Sequence, residues 1–124
     1  MLYTNLNHIE TLAEFQQIIA ENRHVVIVCG RMDEYSIPVY RELEALQADY
    51  PTVKFFDMEF DNPESRVVCE LFAEIPEAKV PFLLFYENGE LTFRTWGTKT
   101  KGQIEEMLPP NPLKGGHGTT RFRD

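Results

Sequence analysis

No run of apolar residues in this chain approaches the roughly 18 needed to span a bilayer, and its first residues, MLYTNLNHIE, lack a basic start followed by an apolar stretch. A membrane span and a secretory leader are therefore not expected, and the expected location is cytoplasmic. Cysteine is scarce: Cys29 and Cys69 stand alone, too far apart for a metal knuckle or a disulfide framework. His8, His24 and His117 are scattered, with no pair at metal-ligand spacing. Gly-x-Gly-x-x-Gly and Walker loops are missing, and Gly115-Gly116-His117-Gly118 has no strand before it. These absences point to a protein without a metal or organic cofactor. Positive charge is also in short supply, with 12 Lys and Arg against 20 Asp and Glu. Residues 109–124 carry Lys114, Arg121 and Arg123 against Asp124, a balance of +2, which leaves −10 on residues 1–108 of the net −8. An acidic body argues against nucleic acid and anionic membranes as partners.

What is present suits one globular domain. The 124 residues are 43% hydrophobic and 26% charged, enough to bury a core without staples. Thr11 and Glu14 form a capping-box pattern ahead of an apolar stripe of Leu12, Phe15, Ile18 and Ile19, which predicts a helix over 11–22. His24 to Cys29 is a short continuous β-branched run, the pattern of a strand buried on both faces, and Gly30 ends it. A helical segment follows, with Asp33 as candidate cap, Tyr40, Leu43, Leu46 and Tyr50 as its stripe and Pro51 as its stop. Pro38 lies inside it, so the helix either begins near Ile37 or starts earlier with a kink. Val53 to Phe60 reads as a second central strand. Pro63 opens an expected helix, PESRVVCELFAE, with Val67, Val68, Leu71 and Phe72 inward. After a loop from Ile75 to Val80, Pro81 to Tyr86 and Glu90 to Trp96 form a hairpin about Asn88-Gly89. Lys101 to Leu108 is the last helix, and Leu2–Leu6 is a possible first strand. Alternation of this kind implies a mixed sheet of four to five strands with helices on both faces, a three-layer α/β sandwich. Residues 1–108 form the expected domain. Residues 109–124, with three prolines and three glycines, read as a flexible basic tail that is inert, docked on a partner or docked on the acidic body.

Over roughly residues 8–108 this arrangement resembles the thioredoxin family. Val80-Pro81-Phe-Leu-Leu-Phe-Tyr86 is similar to the family's Ile-Pro-Thr-Leu-Leu-Leu-Phe, whose proline is cis. Glu87-Asn88-Gly89-Glu90 resembles its Lys-Asn-Gly-Glu turn, and Lys101-Gly102-Gln103-Ile104 resembles the Lys-Gly-Gln-Leu that opens its last helix. Asp61-Asn62-Pro63 falls where the family has Asp-x-Asn-Pro. The departure lies at the redox motif Trp-Cys-Gly-Pro-Cys. Aligned on Cys29-Gly30, the second cysteine is Met32 and the proline Arg31. Aligned on the strand, Cys29 is a strand-end residue and the following loop is shorter by about four residues; spacing from Phe15 favours this second alignment. Both alignments lose the resolving thiol that disulfide exchange requires, and Val28 replaces the family's buried acid.

The resemblance implies a cis peptide at Val80-Pro81 and, beside it, a shallow apolar groove that pairs with an extended peptide. Arg31, Met32 and Tyr35 are expected on the opposite wall, as binding residues; alternatively they only close a shortened loop. The expected function is thus a redox-inactive protein- or peptide-binding module of chaperone, assembly-factor or scaffold type, not an enzyme, with self-association open. The alternative is a monothiol redox protein acting through Cys29, whose thiolate would gain from a helix N-terminus and Arg31 but lose from Asp33 and Glu34. A Cys29–Cys69 disulfide is a third idea, which depends on a close approach of the two backbones. Asp57 and Glu59 resemble a carboxylate pair but are read as structural.

Overall fold

The computed structural model describes residues 2–110; the expected tail from 111 onward lies outside the described residues. Ten elements follow in chain order: β1 (Asn7–Ile9), α1 (Leu12–Glu21), β2 (His24–Gly30), α2 (Ile37–Asp49), β3 (Val53–Glu59), a 3-10 turn (Pro63–Ser65), α3 (Arg66–Glu70), β4 (Phe82–Glu87), β5 (Glu90–Trp96) and α4 (Lys101–Glu105). The strands form one five-stranded mixed sheet in the order β1-β3-β2-β4-β5. β3 runs parallel to both β1 and β2, while β4 is antiparallel to β2 and β5.

The central position of β2 follows from its sequence. Val25 to Gly30 are all buried, because helices cover both faces of the strand and a polar side chain would lose its water on either. Alternation then divides the core into two layers. Val26 and Val28, with Phe55, Leu83 and Phe85, pack under Val39, Tyr40, Leu43 and Leu46 of α2 and Ile104 of α4. Val25, Ile27 and Cys29, with Met58, Phe82 and Leu84, pack under Phe15 of α1 and Val68 of α3.

Local chemistry sets the helix starts. At α1 the Thr11 side chain accepts from the Glu14 N–H while Glu14 accepts from the Thr11 N–H, both at 3.1 Å. α4 repeats the device with Thr100 and Gln103. The Asp33 carboxylate caps a turn, accepting from Tyr35 and Ser36 N–H at 3.1 and 2.8 Å, and α2 begins only at Ile37. Pro38 then sits in the first helical turn, where its missing N–H has no partner to lose.

Four expectations need correction. Leu2–Leu6 is not a strand: β1 is Asn7–Ile9, and Leu2 and Leu6 instead insert into the α2 layer as side chains of an irregular segment. The helix expected over 63–74 is a 3-10 turn and a five-residue α3; beyond Glu70, Leu71, Phe72 and Ala73 bond three residues back, which tightens the chain and swings Phe72 onto Phe82. α4 likewise stops at Glu105, with three-residue turns carrying the chain to Leu108. Leu12 leaves the apolar stripe of α1 and is exposed.

Candidate functional site

The carboxyl ends of β2 and β3, the start of β4 and the end of β5 meet at one end of the sheet, and the loop Arg31–Ser36 lies across this edge of the molecule. Gly30, the last residue of β2, makes the close approach possible. A Cβ there would sit 2.7 Å from both Ser36 Oγ and Tyr40 Oη. Tyr40 is wholly buried and donates its hydroxyl proton to the Arg31 carbonyl at 2.8 Å, fixing where the loop starts. The Arg31 guanidinium forms a two-pronged pair with Asp61, both contacts 2.9 Å, and lies over the Phe60 ring at 4.7 Å. That pairing holds the Asp61 carboxyl below its ordinary range. Arg31 is thereby turned toward the end of β3, where it pins the loop.

Met32 and Tyr35 take the opposite course. Both are exposed, and Tyr3, brought in by the amino-terminal segment and also exposed, stands beside Met32 with its N–H 3.3 Å from Sδ. Among the described residues these three are most of the large hydrophobic side chains left in water, with Leu12 and Phe93 besides. A hydrogen bond from Thr98 Oγ1 to the Tyr35 carbonyl, 2.8 Å, ties this loop to the segment after β5. On the adjoining strand the Val80–Pro81 peptide bond is cis. Pro81 itself is buried, and its carbonyl accepts from the Gly97 N–H at 2.9 Å. Val80 is half-buried and precedes β4, and no backbone partner among the described residues takes its N–H or carbonyl. The fold therefore brings Arg31, Met32, Tyr35, Val80 and Pro81 to one edge, with Met32 and Tyr35 exposed, Val80 half-buried, and Arg31 and Pro81 engaged in the framework.

Cys29 is placed inside β2, wholly buried in the α1–α3 layer. Desolvation first, then the neighbouring Cys69, pushes its thiol up to about 12, and Ser65 offsets this only in part. Cys69 is half-buried and its thiol is also raised, chiefly by desolvation. Both cysteines are free. Among the described residues no group of three His, Cys, Asp or Glu side chains could hold a metal ion.

One residue of this region carries more than its sequence reading allowed. Asp57 lies directly across from Val28 in the β2–β3 register and is buried, with 1% of its surface exposed. Its carboxylate accepts from Thr4 Oγ1 at 2.5 Å and pairs with His8 Nδ1 at 2.7 Å. Burial raises the carboxyl above its ordinary value, and the bonds from Thr4 and His8 oppose this. A buried acid thus does lie beneath the loop, supplied by β3 and used to hold the amino-terminal segment. The signal was an aspartate within the buried stretch Phe55, Phe56 and Met58 of β3, since such a group stays buried only where donors meet it. Glu59, its supposed mate, is half-buried further along β3.

No protein-family model matches the chain, and no curated protein matches it. Solved structures do. Mitochondrial thioredoxin 3 from Saccharomyces cerevisiae, in oxidized form, aligns at TM-score 0.66 and 22% identity, over 82% of this chain and 92% of that one. Thioredoxin from Trypanosoma brucei brucei aligns at 0.65 and 18%, over 85% and 88%. A chain from a study of thiol resolution in a yeast mitochondrial 1-Cys peroxiredoxin via glutathione/thioredoxin systems aligns at 0.68 and 21%, over 86% and 96%. The fold is thioredoxin-like. At these identities the likeness speaks for architecture alone.

Proposed function

We propose that this thioredoxin-like domain is a redox-inactive binding module that takes an extended protein or peptide segment along the edge formed by Val80, Met32 and Tyr35. The observation that carries the reading is the placement of Cys29. A nucleophilic thiol must be ionised and reachable, whereas Cys29 is enclosed in β2 with its thiol at about 12. The same edge instead turns Met32 and Tyr35 outward next to a backbone N–H and carbonyl at Val80 that no described residue pairs. Main-chain groups of this kind can pair with a bound extended segment, and side chains such as Met and Tyr supply anchors. Arg31 supports the site by holding the loop. The domain needs no cofactor for this role, and a second copy of the chain is among the segments it could take.

Titration of the full chain with labelled extended peptides, monitored by anisotropy, tests the proposal. Met32→Asp is expected to weaken the peptides that bind by roughly tenfold, and Pro81→Ala to weaken them by disturbing the backbone at Val80. Unchanged affinity for every bound peptide in both variants would remove the binding edge. Rapid alkylation of Cys29 in the folded protein at neutral pH would remove its redox-inactive half and restore the monothiol alternative.

A further inference from the structure

The opposite edge of the molecule carries a groove of about 580 Å³ that plays no part in this binding edge. It opens between β5 and the chain that follows α4, because α4 ends at Glu105 and leaves the outer part of the hairpin uncovered. Phe85 and Phe93 form its apolar floor, their rings edge to face at 6.3 Å, and Met107 faces them. Phe93 keeps 50% of its surface exposed there. Glu87 and Glu106 stand on the rim, and neither forms an ion pair with a described residue. An aromatic floor with carboxylates around it suits an apolar group flanked by cations; His24, across from Glu87 in the β2–β4 register, also lines the groove.

The described chain ends at Pro110, which is itself part of the wall of this groove. The sequence continues for 14 residues, NPLKGGHGTTRFRD, with a net charge of +2 beside a body of −10. Arg121-Phe122-Arg123 sets one aromatic side chain between two guanidinium groups, the inverse of the groove's composition. A chain of this length extends to about 46 Å, so a reversal at Gly115-Gly116 leaves ample length to return to the wall it departs from. Tethering at Pro110 also raises the effective concentration of the segment over that of any free competitor.

We propose that this groove is the seat of the chain's own carboxyl-terminal segment, with Phe122 on the floor formed by Phe85, Phe93 and Met107, and Arg121 and Arg123 at Glu87 and Glu106. Docking covers Phe93 and neutralises the rim. It leaves the edge at Val80 free, so it stands or falls independently of the peptide-binding reading.

Amide hydrogen exchange and amide NMR shifts of the full chain test it, comparing the natural sequence with Phe122→Ser, Phe122→Leu and the pair Arg121→Glu, Arg123→Glu. Phe122→Ser is expected to lower protection at residues 91–94 and 106–108 by roughly tenfold and to move their shifts. Phe122→Leu should restore part of both, and the double charge reversal should mimic the loss at low salt and less so at high salt. The natural chain should give the same shifts at every protein concentration. Unchanged protection and shifts in Phe122→Ser would overturn the proposal. Shifts that grow with concentration would overturn it too, by assigning the groove to a second copy.

Discussion

The two edges of this molecule are finished in opposite ways. At the edge under the Arg31–Ser36 loop, polar groups lock the framework: Tyr40 to the Arg31 carbonyl, Arg31 to Asp61, and Thr4 and His8 to Asp57. Hydrophobic side chains are left on its outside, Tyr3, Met32 and Tyr35. At the other edge the arrangement is inverted, with aromatic rings on the inside of a groove and carboxylates on its rim. Hydrogen bonds have fixed partners and directional geometry, while apolar contact is tolerant of shape. The first edge is therefore built to present a surface without moving, and the second to be filled. Each substitution below breaks one side of that contrast.

The largest effect is expected at Gly30. Gly30→Ala places a methyl group 2.7 Å from Ser36 Oγ and Tyr40 Oη. Both belong to wholly buried residues, so the loop must move and the Tyr40 bond to Arg31 goes with it. The expected loss is about 3 kcal/mol by urea unfolding, from overpacking and one buried hydrogen bond. A neutral outcome would show that the loop is not rigidly held.

Next comes Asp57. Asp57→Ala leaves Thr4 and His8 without their acceptor and is expected to cost about 2 kcal/mol. Asp57→Asn sharpens the point through pH. The folded carboxyl titrates above its ordinary value of 3.8, so the folded state holds a proton that the unfolded state has released. Its contribution to stability is complete below the ordinary value and is lost as pH rises through the folded one. Across that window the unfolding free energy of the natural chain should change less favourably with rising pH than that of Asp57→Asn, because Asp61 and Glu74, held below their ordinary values, contribute the opposite slope equally to both. An equal slope in both would assign the pH dependence to other carboxylates.

At the outer surface of the same edge the effects should separate. Tyr35→Asp, like Met32→Asp, lies in water and should leave stability within about 0.5 kcal/mol. It should nevertheless weaken a bound peptide by roughly tenfold. Loss of stability without loss of binding would make the loop a structural closure and nothing more. For Arg31 the contrast predicts the reverse: Arg31→Ala should loosen the loop, seen as faster amide exchange at 31–36, before it touches binding.

Much of this was legible in the residues. The buried run at 24–29, the Thr11–Glu14 box, the Asn88-Gly89 turn and the stripe from Tyr40 to Tyr50 each rest on local chemistry that the folded chain keeps. The misreadings share a cause. Leu2 and Leu6 satisfy an apolar pattern, but their place in the α2 layer needs no strand. The 63–74 segment has helical periodicity, yet Phe72 packs face to face on Phe82 at 4.4 Å, and that tertiary contact is met by tighter turns. Asp57 has the structural role expected of it, but its donors, Thr4 and His8, are 53 and 49 residues away in sequence, beyond the reach of local pattern. The outward setting of Met32 and Tyr35 is a matter of exposure, which one-dimensional spacing does not encode.

The smallest effect is expected at Phe93, and it bears on the second edge. Half-exposed with one edge-to-face contact to Phe85, it should contribute about 1 kcal/mol. Its value as a probe lies in coupling. A groove with no occupant gives Phe93→Ser a cost that adds to that of Phe122→Ser. A groove that seats Phe122 makes each substitution remove part of what the other removes, so the double variant should fall short of additivity by about 0.5–1 kcal/mol. Additive costs, measured by unfolding of the full chain, would leave the second edge an open groove and end its contrast with the first.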